Sequence, residues 1–203
     1  MSRISLIESA RELFLKYGVK SVSMDDIARL LGISKKTIYS YVCNKSELVE
    51  EAIKAFVQEE EEIVNEITAS SHNAIEEITA IAAYVMKSLR KMKPTLIYDL
   101  QKYYGKVFRI IKQKHFRQIE YTIKNNIERG IREGFYREDL DAEIQATIYV
   151  GLSQMLVDED TFPSGKYERT YLYKQLIKYH LNGIMNDKGR KELKKYLNKE
   201  NLA

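Results

Sequence analysis

The 203-residue sequence holds one cysteine, two prolines, nine glycines and no tryptophan. A single thiol, Cys43, excludes an intramolecular disulfide and fits a reducing compartment. With proline only at positions 94 and 163, little in the chain interrupts a helix, and a nearly all-helical fold is expected. The three histidines, His72, His115 and His180, are isolated, with no H-x-x-x-H pair and no cysteine partner. Neither a zinc site nor a Cys/His nucleophile is therefore supported. Glu76 and Glu77 point to different sides of a helix, so they do not form a catalytic carboxylate pair, and no glycine-rich phosphate loop occurs. No catalytic residue, metal site or cofactor is expected. The longest uncharged run, residues 144–157, is shorter than the roughly 18 residues of a membrane span and includes Gln145, Ser153 and Gln154. Glu8, Arg11 and Glu12 interrupt any N-terminal signal-like pattern, and a cytoplasmic chain with no membrane association is expected.

What is present concentrates in residues 23–48, SMDDIARLLGISKKTIYSYVCNKSEL. Ala28 is small enough for a close helix crossing, Gly32 suits the positive φ of a sharp turn, and Ile38 packs back across it. Ile27, Leu31 and Ile33 fill the wedge between the two helices. Ser23 with Asp26 reads as a capping box for the first helix, and Ser34 as the N-cap of the second. Asn44 with Glu47 repeats that logic for a third helix, with Lys45 in its first turn, where lysine and helix-terminal amides can meet one phosphate. The spacing thus predicts a helix-turn-helix whose second helix, residues 35–42, carries polar, basic and hydroxyl side chains on the faces that Ile38 and Val42 leave free. The net charge of the chain is only +4, and residues 1–48 carry eight bases against five acids.

The remaining pattern is also helical. Residues 4–17 form a supporting helix with Ile7, Ala10, Leu13 and Phe14 on one face, ended by Gly18. A connecting helix runs from Lys45 to about residue 69, with Leu48, Ala52, Phe56 and Ile63 inward. Ile75, Ile78, Ala82, Val85, Leu89 and Met92 step by three and four, in a segment apolar enough for the middle of a bundle. Pro94 suits the start of a short helix, and residues 106–133 form a long one closed by Gly134. Asp141 caps the next, to about 157, and residues 166–186 form another. A basic C-terminal helix with Leu193 and Leu197 inward follows.

Together with IESARELFLKYGVKSVSM before it, the helix-turn-helix resembles the DNA-binding domain of the TetR family of bacterial transcriptional regulators. The matching residues are the 10–14 helix face, Gly18, Ile27-Ala28, Gly32-Ile33-Ser34, Thr37-Ile38-Tyr39, Tyr41 and Asn44-Lys45-x-Glu47-Leu48; Val42 replaces the usual phenylalanine. The segment GIREGFYREDLDAE extends the similarity less specifically. The resemblance implies an all-α protein: a three-helix N-terminal domain over 1–48, and a helical-bundle ligand-binding and dimerisation domain over 49–203.

It further implies a homodimer on double-stranded operator DNA, released by a small, largely apolar effector. Phosphate contacts supply affinity and base-edge contacts supply sequence choice. Tyr41 and Lys45, with Thr37 and Tyr39, are the candidate phosphate contacts, and Lys35 and Lys36 the candidate base contacts. Tyr84, Met92, Tyr98, Tyr104, Phe108, Phe116 and Tyr149 are candidates for the ligand pocket. Ile148, Gly151, Leu152, Met155, Leu176, Ile177, His180 and Ile184 are candidates for the dimer interface. Two alternatives remain open from the residues alone: a DNA-binding regulator controlled by a protein partner without a small ligand, and a helical enzyme retaining a DNA-binding head.

Overall fold

A computed structural model of the chain describes residues 2–197. These form ten helices: α1 (Arg3–Tyr17), α2 (Met24–Leu31), α3 (Lys35–Tyr39), α4 (Lys45–Ser70), α5 (Ala74–Lys91), α6 (Leu96–Tyr103), α7 (Gly105–Arg132), α8 (Ala142–Leu156), α9 (Arg169–Ile184) and α10 (Asp187–Leu197). The only β-type pairing among the described residues is an isolated antiparallel bridge between Tyr136 and Met185. The side chain of Leu197, expected to turn inward, lies outside what the structure describes.

The chain divides into two compact units. One comprises the chain up to Glu62 together with Lys91–His115, the other Ile63–Arg90 together with the chain from Phe116 onward. The sequence-based division after residue 48 falls inside α4 and does not coincide with this one. The first unit draws in α6 and the start of α7 because their apolar residues join the head's core. Leu96, Leu100 and Ile111 are buried with Leu6, Ala10, Phe14, Ile27, Ala28, Ile38, Val42 and Leu48, and Met92, Tyr104 and Phe108 pack against that cluster. Each such side chain contributes about 1.5–3 kcal/mol on full burial. Two hydrogen bonds clamp the segment to the end of α1: the Lys93 amide donates to the Leu15 carbonyl (2.8 Å) and its Nζ to the Tyr17 carbonyl (2.8 Å).

The second unit has its own apolar core, built on Ile75, Ile78, Ala82, Ile123, Ile127, Ala146, Tyr149, Leu176, Ile177, Leu181 and Ile184. Beside it lies a buried polar network. Arg129 donates to Glu77 (2.8 Å), Glu133 (2.8 Å) and the Ser71 carbonyl (2.8 Å), and Glu133 in turn accepts from the Ala74 amide (2.7 Å). Asn126 donates to the Ala74 carbonyl (2.9 Å) and accepts from the Tyr136 hydroxyl (3.0 Å). Gly130 makes this packing possible, since a Cβ there would stand 2.1 Å from the Tyr136 ring. Burial pushes the carboxyl of Glu77 up and the Arg129 hydrogen bond opposes it.

Part of the expected dimer surface is already covered within this unit. Leu176, Ile177, His180 and Ile184 are only 6, 5, 7 and 1 % exposed in the single chain, where they pack in the second unit's core. Leu152 packs partly buried against the same core. Ile148, Met155 and Gly151 are exposed, as is Ile144 one turn earlier.

Candidate nucleic-acid interface

The helix-turn-helix is built by local bonds. The Ser23 side chain accepts from the Asp26 amide (3.2 Å), and the Asp26 carboxylate accepts from the Ser23 amide (2.9 Å), closing the capping box that starts α2. The Ser23 hydroxyl donates to the same carboxylate (2.6 Å), and this bond with that from the Ser23 amide holds the Asp26 carboxyl below its ordinary value. Gly32 ends the helix at φ 63° and ψ 32°, the left-handed region, with its amide bonded back to Ala28 and Arg29. Nothing lies within 4 Å of where a Cβ would stand, so glycine is needed there for its backbone angle rather than for space. The amide of Ile33 returns to the Ala28 carbonyl (3.0 Å), completing the sharp turn.

Ser34 then caps α3 by accepting from the Thr37 amide (3.0 Å), and its hydroxyl also meets that of Thr37 (2.9 Å). Ile38, fully buried, anchors the helix to the core, so the remaining faces turn outward. The regular helix closes at Tyr39 and continues as a turn to Tyr41, shorter than the 35–42 expected. At the start of α4 the Asn44 side chain accepts from the Glu47 amide (2.9 Å), while Glu47 accepts from the Cys43 amide (2.6 Å). The Cys43 bonds hold the Glu47 carboxyl below its usual range. Glu47 conversely raises the exposed Cys43 thiol, which disfavours the thiolate that oxidant sensing requires.

The expected contact residues differ in availability. Lys35 and Lys36 are exposed, with Lys35 Nζ 3.1 Å from Asp25. Such a surface pair is worth little and yields readily to a phosphate. Tyr39 is 48 % exposed, whereas Tyr41 packs partly buried against the core. Lys45 is more constrained than its expected role requires: Nζ donates to the Val19 carbonyl at 2.6 Å and is partly desolvated, which lowers its pKa. An ammonium has three N–H donors, so two remain to point elsewhere. Arg29, at the C-terminal end of α2 with its side chain 80 % exposed, was not among the expected contacts.

The ligand-pocket candidates are divided between the two compact units. Met92, Tyr98, Tyr104 and Phe108 belong to the first compact unit, Tyr84, Phe116 and Tyr149 to the second. Tyr98 is 40 % exposed, while Tyr149 is 4 % exposed and sits in the second unit's core. There the Tyr149 hydroxyl lies 3.5 Å from that of Tyr173, and its ring meets His180 edge-on at 4.8 Å. Nε2 of His180 is buried with no hydrogen-bond partner, and burial drives its pKa down to about 4. Among the described residues no cluster of three or more potential metal ligands occurs, and no helix is long and apolar enough to cross a membrane.

A capped helix-turn-helix with an exposed, basic second helix, followed by a larger helical unit, defines a helix-turn-helix transcriptional regulator. Residues 6–52, which hold the helix-turn-helix, match the sequence model of the bacterial regulatory proteins of the tetR family. It is 24% identical over 149 residues to the HTH-type transcriptional repressor KstR2 of Mycobacterium tuberculosis, spanning 70% of this chain and 72% of that protein. The fold is shared with a TetR-family regulator from Agrobacterium tumefaciens at TM-score 0.71 and 18% identity, covering 91% of this chain and 100% of that one. A transcriptional regulator from Saccharomonospora viridis, solved with choline, is similar at TM-score 0.71 and 19% identity, with 91% and 97% covered.

Proposed function

We propose that the protein is a cytoplasmic homodimeric repressor that binds double-stranded operator DNA through α2, α3 and the start of α4, and that a small, largely apolar molecule releases it. The observation that carries this reading is the exposed α3, held by Ile38 and the Ser34 cap so that Lys35, Lys36 and Tyr39 face solvent. A helix presented in this way enters a major groove with its N-terminal side chains at the base edges. Two copies would address half-sites about 34–36 Å apart. For the dimer, the support is an apolar strip on α8, where Ile144, Ile148 and Met155 are 55, 47 and 46 % exposed, and Gly151 leaves the surface flat between them.

For the effector, the support is the choline-bound relative and the unpartnered His180 Nε2 beside Tyr149. A neutral imidazole in an apolar surround accepts or donates one hydrogen bond according to its tautomer, which suits a small apolar ligand with a single polar group. A ligand favouring the conformation that mismatches the two grooves lowers DNA affinity by its differential affinity for the two states.

Genome-fragment binding selection with the purified full-length protein tests the DNA half of this reading. Enrichment of a two-fold symmetric site at moderate salt is expected, and failure to enrich any sequence would sink it. A thermal-shift screen across small apolar amines, alcohols and acids tests the effector half. A hit should shift wild type but not His180→Leu, and a hit that shifts both equally removes His180 from the site.

A further inference from the structure

Two segments of the head unit are basic: residues 1–48, with eight bases against five acids, and residues 91–115, while the acids of α4 offset the first. In the first compact unit, residues 1–62 hold nine bases and eleven acids, a net of −2, whereas residues 91–115 hold seven bases and one acid, a net of +6. The second unit has 17 of each and is neutral. All of the chain's excess of +4 therefore belongs to the unit that carries the helix-turn-helix, where residues 91–115 outweigh the acids of residues 1–62. The single acid of that segment, Asp99, is buried.

The basic residues lie on the surface. Lys102, Lys106, Arg109 and Lys114 are exposed, and Lys106, Arg109, Ile110 and Gln113 recur at the three- and four-residue spacing of one helix face. Exposed aromatics alternate with them: Lys102 Nζ stands over the Tyr98 and Tyr103 rings at 5.4 and 5.8 Å. This surface is continuous with the helix-turn-helix. Lys20 Nζ lies over the opposite part of the contact, 5.4 Å from the Tyr103 ring, and the adjacent Val19 carbonyl is the acceptor of Lys45. The path Lys45, Val19, Lys20, Tyr103, Lys102 thus runs within one unit from the start of α4 to the α6–α7 surface.

We propose that this α6–α7 surface is a second DNA-backbone contact, binding phosphates that flank the half-site read by α3. The inference rests on the DNA-binding reading above. A polyanion is the partner that the exposed Lys102, Lys106, Arg109 and Lys114 fit, since each lysine or arginine neutralising a phosphate releases counterions without reading sequence. DNA is favoured over other polyanions because the surface adjoins Lys20 and Lys45 at the edge of the helix-turn-helix.

The test uses the full-length protein on two duplexes, the operator core alone and the same core extended by about ten base pairs, one helical turn, on each side. Affinity is read by fluorescence anisotropy across a salt series. Wild type should bind the extended duplex more tightly, with the slope of log K against log salt steeper by about 3 per head for three added contacts. The triple variant Lys102→Gln, Lys106→Gln, Arg109→Gln should lose that increment and keep its affinity for the core. Equal wild-type slopes on both lengths would overturn the inference, and this comparison needs no variant to fold. Retention of the increment by the folded triple variant would also overturn it. So would competition by inorganic pyrophosphate on the core duplex that the triple variant abolishes, which assigns the surface to a phosphorylated small molecule. Absence of binding to either duplex would instead sink the DNA-binding reading itself.

Discussion

The two compact units keep their polar groups in opposite ways. In the head unit, the bonds that shape the helix-turn-helix are caps between residues three or four apart, on exposed Ser23, Asp26, Ser34 and Asn44. In the second unit, Glu77, Asn126 and Tyr136 are nearly fully buried and are joined across 52, 10 and 62 residues of sequence to Arg129, to each other and to Ala74. Exposed bonds compete with water and are individually weak, so the head can give up a contact to DNA at small cost. Buried ones are left unsatisfied if broken, so the second unit is held to one arrangement.

The same substitution in each unit gives the largest expected contrast. Arg129→Met leaves Glu77, 2 % exposed, without its guanidinium and should cost about 3–5 kcal/mol in urea denaturation. Arg11→Met removes a 2.6 Å pair with the half-exposed Glu59 and should cost about 0–1 kcal/mol. Adding Glu77→Gln to Arg129→Met should recover a large part of the loss, and equal costs at the two sites would break the contrast.

Acid should also separate the units. His180 is buried, with its pKa lowered from the ordinary histidine value of about 6.5 to about 4, so its contribution is complete above the ordinary value and is lost as pH falls from there towards 4. On the order of 2–3 kcal/mol of stability is at stake, and His180→Leu should flatten that part of the profile. The Asp26 and Glu47 carboxyls of the head are also lowered, so the caps they make stay intact over that interval and fail only as pH falls through their depressed values. Tryptophan-free fluorescence gives little signal here, and far-UV circular dichroism of wild type and variant between pH 7 and 3 checks the order.

Smaller effects test the head alone. Ser23→Ala removes the α2 cap and should cost about 1 kcal/mol. On DNA, Lys45→Ala should weaken binding to all sequences and lower the salt slope by about 1, whereas Lys36→Ala should change sequence preference. Uniform loss for both would show that the two lysines do not divide phosphate and base contacts between them.

The helix-turn-helix was legible because its signals act over three or four residues: a serine oxygen reaches the third amide ahead, and only glycine takes φ 63° at position 32 without strain. The α9 stripe marks the limit of such local signals. Leu176, Ile177 and Ile184 recur at helical spacing, which says that a face is buried and is silent about which molecule buries it. The polar network had no local signature, because Arg129 and Glu77 are 52 residues apart.

By itself the sequence determined the helices, their caps and the exposed character of α3, since each depends on neighbours along the chain. Only the tertiary structure decided that residues 91–115 belong with the head, so that its charge is +4 although residues 1–62 alone are slightly acidic. Charge acts through space, and a segment's contribution to a surface depends on which core its apolar residues join; here Leu96, Leu100 and Ile111 join that of the helix-turn-helix.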